Sequence, residues 1–242
     1  MPDPIFAHPR LAMAYDTFDG SRDDLVAYLA IADELAARRV VDLGCGTGCL
    51  ALLLAATDRQ VIAVDPAAAS LDVAQAKPGA DRVTWIEGDA SAIPADAQTD
   101  LIVMTGNAAQ AVLTDHDWTA MLRHVHDALA PGGCFTFETR RPERRAWDEW
   151  AADTEPVTAD VPGLGPVEQR RKLTAVDLPL VSFRYTYRFL NGNTTLTSDS
   201  TLRFRDRDEL TTSLETEGFG IREIREAPDR PGREFVVLAQ RL

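Results

Sequence analysis

The stretch Val40-Val41-Asp42-Leu43-Gly44-Cys45-Gly46-Thr47-Gly48 decides how this chain of 242 residues is read. An aliphatic strand, Val40 to Leu43, runs into a glycine turn, and an apolar helix, Cys49 to Ala56, follows at once. Glycine tolerates the tight turn and lets a ligand approach the backbone, while the start of the helix offers unpaired amides and the positive end of its dipole. A polar or anionic ligand group is expected there.

Outward from this stretch, β-branched runs recur at Val61 to Asp65, Val83 to Glu87 and Leu101 to Thr105, with helical segments between them. A fifth run, Cys134 to Thr139, follows the turn Pro131-Gly132-Gly133. Apolar strands alternating with helices predict a parallel sheet covered on both faces and joined by right-handed crossovers. Ahead of the fifth strand, Trp118, Met121, Leu122, Val125 and Leu129 form one helical stripe. Upstream, Asp23 to Ala37 reads as a helix capped by Ser21 or Asp23, with Leu25, Leu29, Ala32 and Leu35 suited to burial.

After Thr139 the pattern changes. Pro156, Pro162, Gly163, Gly165 and Pro166 predict an irregular connection. Phe183, Tyr185, Tyr187 and Phe189 then alternate with polar residues, and Asn191-Gly192 turns the chain into a return strand, Thr194 to Phe204. A charged helix, Asp206 to Glu217, ends at Gly218 and leads to strands Gly220 to Ala227 and Glu234 to Gln240. Their connection, Pro228 to Gly232, is too short for a crossover helix, so they pair antiparallel. The expectation is an α/β fold: a doubly wound, mostly parallel seven-stranded sheet with a terminal antiparallel hairpin, plus a small antiparallel β insertion after strand 5.

Composition narrows the functions. Hydrophobic residues make up 45% and charged residues 26%, the profile of an ordinary globular domain. Lys and Arg number 25 against 38 Asp and Glu, and a net charge of -13 has the wrong sign for tracking a phosphate backbone, so no nucleic-acid partner is expected. Two basic runs, Arg140, Arg141, Arg144, Arg145 and Arg170, Arg171, Lys172, read either as solvated faces or as a grip on a carboxylate or phosphate. No segment suits export or approaches the ~18 to 20 apolar residues of a membrane span, so a cytoplasmic location away from membranes is expected. Cys45, Cys49 and Cys134 lack disulfide or zinc spacing and read as packed thiols.

The neighbours of the glycine loop carry its chemistry. Nicotinamide and flavin enzymes use GxGxxG and a second mononucleotide-binding half, whereas this segment is GxGxG with Asp42 two residues ahead of Gly44. Asp65 ends the second strand, where a carboxylate accepts from both hydroxyls of a ribose. Asp89, in Gly88-Asp89-Ala90 after the third strand, is placed to accept from an exocyclic amine, and Thr105-Gly106-Asn107 closes the site after the fourth. Singly, Asp65 and Asn107 also read as helix caps and Asp89 as a turn residue. As a set they follow the carboxyl ends of successive parallel strands, where open α/β sheets bind ligands.

Through VVDLGCGTG, VIAVDP, WIEGDASAIP, DLIVMTGNAAQ and LAPGGCFTFET, in that order, the chain resembles the class I S-adenosylmethionine-dependent methyltransferases, whose sheet is Rossmann-like. The resemblance is strong from Val40 to Arg140 and looser over the terminal helix, Gly218-Phe219 and hairpin. It implies that Gly44, Gly46 and Gly48 flank the methionine portion of the cofactor, that Asp65 binds the ribose, that Asp89 with Ala90 holds the adenine, and that Asp42, Cys45, Pro66 and Gly88 belong to the same site. Thr105, Gly106 and Asn107 complete the cofactor site, and Tyr15 covers it from an N-terminal segment similar to the family's lid. The chain then divides, within one domain, into a lid and helix (1–38), a cofactor-binding core (39–140), a β insertion (141–205) and a C-terminal helix and hairpin (206–242). Around Glu138-Thr139-Arg140, Trp147 and Trp150 it looks like the small-molecule branch. It lacks the Asn-Pro-Pro-Tyr type signature of nucleobase and glutamine methylation, with Thr105-Gly106-Asn107 in its place.

Methyl transfer from a sulfonium is an in-line displacement whose leaving group is already activated, so positioning and desolvation are the main demands on the protein. The implied cofactor is S-adenosylmethionine, its product S-adenosylhomocysteine, and the acceptor a small molecule. A protonated acceptor needs a base, and Glu138 is the first candidate, with a structural carboxylate as the alternative. No metal is expected: His124 and His126 leave a helix on opposite sides, and His8 and His116 fall in the lid and a loop. The aromatics of 183–189 and the pair Trp147 and Trp150 either line an acceptor pocket or pack the core, with packing favoured. A monomer or a homodimer fits the reading, and a non-catalytic S-adenosylmethionine-binding protein or regulatory subunit on the same fold is the competing one.

Overall fold

The aliphatic runs become the parallel strands β1 (Arg39–Leu43), β2 (Gln60–Asp65), β3 (Val83–Glu87), β4 (Thr99–Met104) and β5 (Leu129–Arg140) of a computed structural model that describes residues 1–94 and 96–242. With β10 (Phe219–Glu226) and β11 (Glu234–Arg241) they form one seven-stranded sheet in the order β10-β11-β5-β4-β1-β2-β3. The pairs among β1 to β5 are parallel, and β11 runs antiparallel to both β5 and β10. The Pro131-Gly132-Gly133 turn is an excursion inside β5, where the register against β4 shifts between Thr99 and Leu101.

Alternate residues of each strand serve opposite faces. Val41, Leu43, Ile102, Met104, Phe135 and Phe137 meet α6 (Asp115–Ala128) and α8 (Arg207–Thr216) on one side. Val40, Val61, Leu101, Val103, Cys134 and Val236 meet α3 (Leu25–Glu34) and α4 (Cys49–Ala55) on the other. The stripe Trp118, Met121, Leu122 and Val125 is buried as its spacing predicts, and Thr114 caps α6 by accepting from the Asp117 amide.

Two expectations need correction. The helix read over 23–37 is the shorter α3, and neither Ser21 nor Asp23 caps it: Asp24 holds the N-cap position and its carboxylate binds Arg22 instead. Leu29 and Leu35 are half-buried, while Tyr28 and Ile31 take their places in the core. The connection read as irregular is a hairpin of β6 (Val157–Val161) and β7 (Gly165–Asp177). Pro162 and Gly163 fall in its turn, and Pro166, which has no N–H to offer, uses its carbonyl to accept from Leu190. Together with β8 (Leu180–Phe189) and β9 (Thr194–Arg203), the insertion is therefore a four-stranded antiparallel sheet, β6-β7-β8-β9.

The N-terminal helices α1 (Pro4–Ala7) and α2 (Pro9–Asp19) lie on that inserted sheet. Leu11 and Ala14 pack with Val161, Val167, Tyr187 and Phe189, and the Ile5 amide donates to Ser198 Oγ at 2.9 Å. The same segment touches the core at α5 (Ala68–Gln75), where Ser70 Oγ donates to the Phe6 carbonyl. Trp147 and Trp150, on α7 (Ala146–Ala152), pack edge-on against Phe204 and Phe183. Among the described residues no helix is long and apolar enough to cross a membrane.

Gly48 and Gly20 share a φ of +79°, but a β-carbon at Gly48 would lie 2.5 Å from Trp85 and 2.9 Å from Ala74, whereas at Gly20 it would meet nothing within 4 Å. Gly48→Ala is expected to lose about 2–4 kcal/mol of stability in urea unfolding, and Gly20→Ala only the backbone strain of about 1 kcal/mol.

Candidate functional site

The carboxyl ends of the parallel strands and the start of β11 form one rim. Across the sheet it runs Glu234, Glu138, Asn107, the glycine loop, Asp65 and Asp89. Strand order reverses between β4 and β1, and there the two halves of the rim touch: a β-carbon on Gly44 would sit 3.1 Å from that of Ala108.

On the β1–β2–β3 half, Asp65 ties the elements together. Its Oδ2 accepts from the Gly46 amide and its Oδ1 from the Ala67 amide, both at 2.8 Å. Burial raises its pKa and these two amides oppose the rise. Asp42 shares the face of Val40, beneath α4, and is 1% exposed. Neither of its oxygens makes a well-formed hydrogen bond, and burial pushes its carboxyl up to about 7 against the partial offset of the Ala51 amide. Asp89 is exposed and caps a short 3-10 turn, accepting from the Ser91 amide and hydroxyl, which hold its pKa down.

Helix α2 meets this half through charge. Asp16 of α2 accepts from Thr47 Oγ1 and pairs with Lys77 at 2.5 Å, and Lys77 Nζ also donates to the Thr47 carbonyl at 2.8 Å. The carboxylate at the start of α4 is thus the chain's own. Tyr15, half-buried, sits 5.4 Å from the Phe6 ring, and burial followed by the charge of Asp19 raises its hydroxyl pKa.

The β4–β5–β11 half is a buried polar network. Tyr28 Oη donates to Glu138 Oε2 at 2.5 Å, and the Asn107 amide N–H donates to Glu138 Oε1 at 3.1 Å. Asn107 Nδ2 donates to Glu234 Oε1 at 3.1 Å. Arg230 lies 3.0 Å from Glu234 and 3.8 Å from Glu138, and Arg140 lies 3.8 Å from Glu234 and donates to Gln110 Oε1. Burial, then the charge of Glu234, raises the pKa of Glu138. Each oxygen of the expected base therefore already holds a donor of the chain itself. The Asn107 Oδ1 and Glu234 Oε2 atoms are buried without a partner.

Sequence reasoning brought Glu138, Arg140 and Asn107 to this site but missed Tyr28, Gln110, Arg230 and Glu234. A charged residue opening the last strand was the one signal for Glu234, and no spacing joins it to Glu138. Elsewhere in the basic runs, Arg141 and Arg144 bond to the Glu234 and Gly232 carbonyls, Arg145 pairs with Asp148, and Arg171 pairs with Asp153. His8 caps α2, His126 stands edge-on to Phe219, and His116 and His124 are exposed. Among the described residues no group of three His, Cys, Asp or Glu is arranged for a metal. An open depression of about 420 Å³, lined by Arg38, Asp100 and Gly132, lies at the opposite, amino-terminal end of the strands.

Asp42 generates a pH prediction. Its folded pKa, about 7, exceeds the unfolded value of 3.8, so its stabilising share is complete below about pH 4 and is lost as pH rises through about 7. Between those limits Asp42→Asn is expected to gain on wild type by on the order of 4 kcal/mol in urea unfolding; a constant difference across that range would contradict the assignment.

Similar proteins place the chain in a family. A methyltransferase domain model matches residues 40–133. A cypemycin N-terminal methyltransferase from a Streptomyces species is 30% identical over 165 residues, covering 66% of this chain and 67% of that protein. A ubiquinone/menaquinone biosynthesis C-methyltransferase from Rubrivivax gelatinosus is 38% identical over 116 residues, 46% of this chain but only 44% of that relative. An S-adenosylmethionine-dependent methyltransferase from Clostridium acetobutylicum shares the fold, with a TM-score of 0.76 at 16% identity over 96% of both chains. The chain belongs to the class I S-adenosylmethionine-dependent methyltransferases.

Proposed function

We propose that this methyltransferase holds S-adenosylmethionine on the β1–β2–β3 half of the rim and methylates a small-molecule acceptor over the β4–β5–β11 half, under the lid and the inserted sheet. The observation that carries the reading is the division of the rim at the strand reversal. One side is a glycine loop bridged to Asp65, and the other is a polar network built from elements far apart in sequence.

The residues fit the cofactor. The orphaned Asp42 carboxylate beneath the loop supplies negative charge toward a methionine ammonium, and Gly44, Cys45, Gly46 and Gly48 leave the backbone open to it. Asp65 retains free lone pairs for ribose hydroxyls beside the two amides it binds, with Pro66 next to it. Gly88, Asp89 and Ala90 bracket the adenine, and Thr105, Gly106 and Asn107 face the reacting end. When bound, the cofactor supplies an electrophilic methyl: a bond from the acceptor to the methyl carbon forms as the carbon–sulfur bond breaks, and sulfur keeps the electron pair.

The chain contributes position and dryness. Asp16, Thr47 and Lys77 latch the lid to the loop, Tyr15 closes over it, and the aromatic inner face of the inserted sheet keeps water out. Glu138 acts by holding the Asn107 backbone rather than as a free base. The chain's lack of the Asn-Pro-Pro-Tyr type signature favours a small acceptor over a nucleobase. Two of the relatives are named for acting on an N-terminus and on a quinone precursor, and neither name is carried over as the acceptor.

Calorimetric titration tests the reading. Wild type is expected to bind S-adenosylmethionine and S-adenosylhomocysteine with about micromolar affinity, and Asp65→Ala to weaken both by about tenfold or more. No binding to either ligand by the folded wild-type protein removes the cofactor and the reading with it.

A further inference from the structure

The β4–β5–β11 network holds an unused charge arrangement. Glu138 and Glu234 are each 1% exposed and lie diagonally on the face that α3 covers, where Glu234 pairs across the strands with Arg140 and Glu138 with Val236. Burying two carboxylates together is costly unless cations and donors compensate. Compensation comes partly from Arg230, whose guanidinium spans both, 3.0 Å from Glu234 Oε1 and 3.8 Å from Glu138 Oε2. Arg230 does not belong to the sheet. It stands in the turn between β10 and β11 and keeps 33% of its side chain exposed.

A second, independent feature concerns Asn107, which is 2% exposed. Its Nδ2 donates to Glu234 Oε1, and this fixes the amide orientation, because the flipped amide would face oxygen to oxygen. The Oδ1 atom is thereby turned away from Glu234 and has no partner. Glu234 Oε2, the other oxygen of the carboxylate that fixes it, has none either. Two buried acceptors on one hydrogen-bonded pair lack a donor, and leaving such atoms unmade costs free energy. Each needs an N–H or O–H donor, and a cation with several N–H donors is the kind of group that supplies one beside a buried carboxylate.

We infer that Asn107, Glu234 and Glu138 form a receptor for the ammonium group of an amine acceptor, and that the Arg230 guanidinium occupies its cationic position until the acceptor displaces it. The inference rests on the methyl-transfer reading and names its substrate class. The receptor borders the glycine loop through the contact of Ala108 with Gly44, so an amine held there lies at the reacting end of the cofactor site. Before its lone pair attacks, the ammonium must give up one proton, and the unpartnered Glu234 oxygen is the acceptor at hand. Tyr28 and the Asn107 backbone then act as positioning groups, since they hold Glu138 in register with its neighbour.

The test needs no knowledge of the acceptor. Sinefungin carries a primary ammonium on carbon where S-adenosylmethionine carries its methyl on sulfur, so it projects an N–H donor toward the receptor. Titrated into the full chain, it is expected to bind about tenfold more tightly than S-adenosylhomocysteine, the worth of one charge-assisted hydrogen bond. Glu234→Gln should bring that ratio to about one while S-adenosylhomocysteine affinity changes by less than about threefold. Arg230→Ala, which removes the competing cation and leaves the buried acids in place, should widen the ratio. Equal affinities in wild type, a ratio that survives Glu234→Gln, or a ratio that Arg230→Ala leaves unchanged would each overturn the receptor. If Glu234→Gln does not fold, the Arg230→Ala ratio decides alone. Failure of wild type to bind S-adenosylhomocysteine would instead remove the reading beneath it.

Discussion

Parallel strands need crossover connections, the crossovers are right-handed, and a sheet that is to be covered on both faces must reverse its winding once. Here the reversal falls between β4 and β1, so the connections leaving those two strands diverge to opposite faces and open a crevice at their carboxyl ends. Asp65, Asn107, Glu138 and Glu234 all stand at that end of the sheet. The Asp65 carboxylate braces one side by bonding the Gly46 and Ala67 amides, and the contact of Gly44 with Ala108 sets how closely the two sides approach.

The face toward α3 and α4 carries an unusual load. Period-two alternation places Asp42 with Val40, Glu138 with Cys134, and Glu234 with Val236, so three carboxylates enter a largely apolar layer. Their treatment differs. Glu138 and Glu234 are held by Tyr28, Asn107, Arg140 and Arg230, whereas Asp42 is left without a well-formed hydrogen bond. A buried network of this sort contributes less net stability than apolar packing would.

The N-terminal helices and the insertion share one apolar cluster. Leu11 and Ala14 of α2 are embedded in the aromatic side of the inserted sheet, and the Ile5 amide is bonded to Ser198, while the link to the core runs through Asp16, Lys77, Thr47 and Ser70. Apolar burial ties lid to insertion, and a few polar contacts tie both to the glycine loop. The insertion has its own attachment to the core, through Gln110 to the Arg203 carbonyl and Arg203 to the Leu113 carbonyl.

Local pattern determined much of this protein. The glycine loop, the alternation of apolar strands with helices, the Trp118 to Val125 stripe and the short 228–232 connection each encode their structure within a few residues, because turn sterics and burial periodicity act at that range. The same holds for Asp65 and Asp89, which mark the ends of strands. Tertiary structure alone decided the rest. Proline and glycine between 156 and 166 suppress local strand propensity, and only pairing with β8 makes that segment a hairpin strand. Tyr28, Glu138, Asn107, Arg230 and Glu234 come together because β11 inserts beside β5 and α3 covers both. Hydrogen bonds between residues 110 and 127 positions apart leave no periodic trace in a chain, since their geometry is set by packing rather than by local backbone preference.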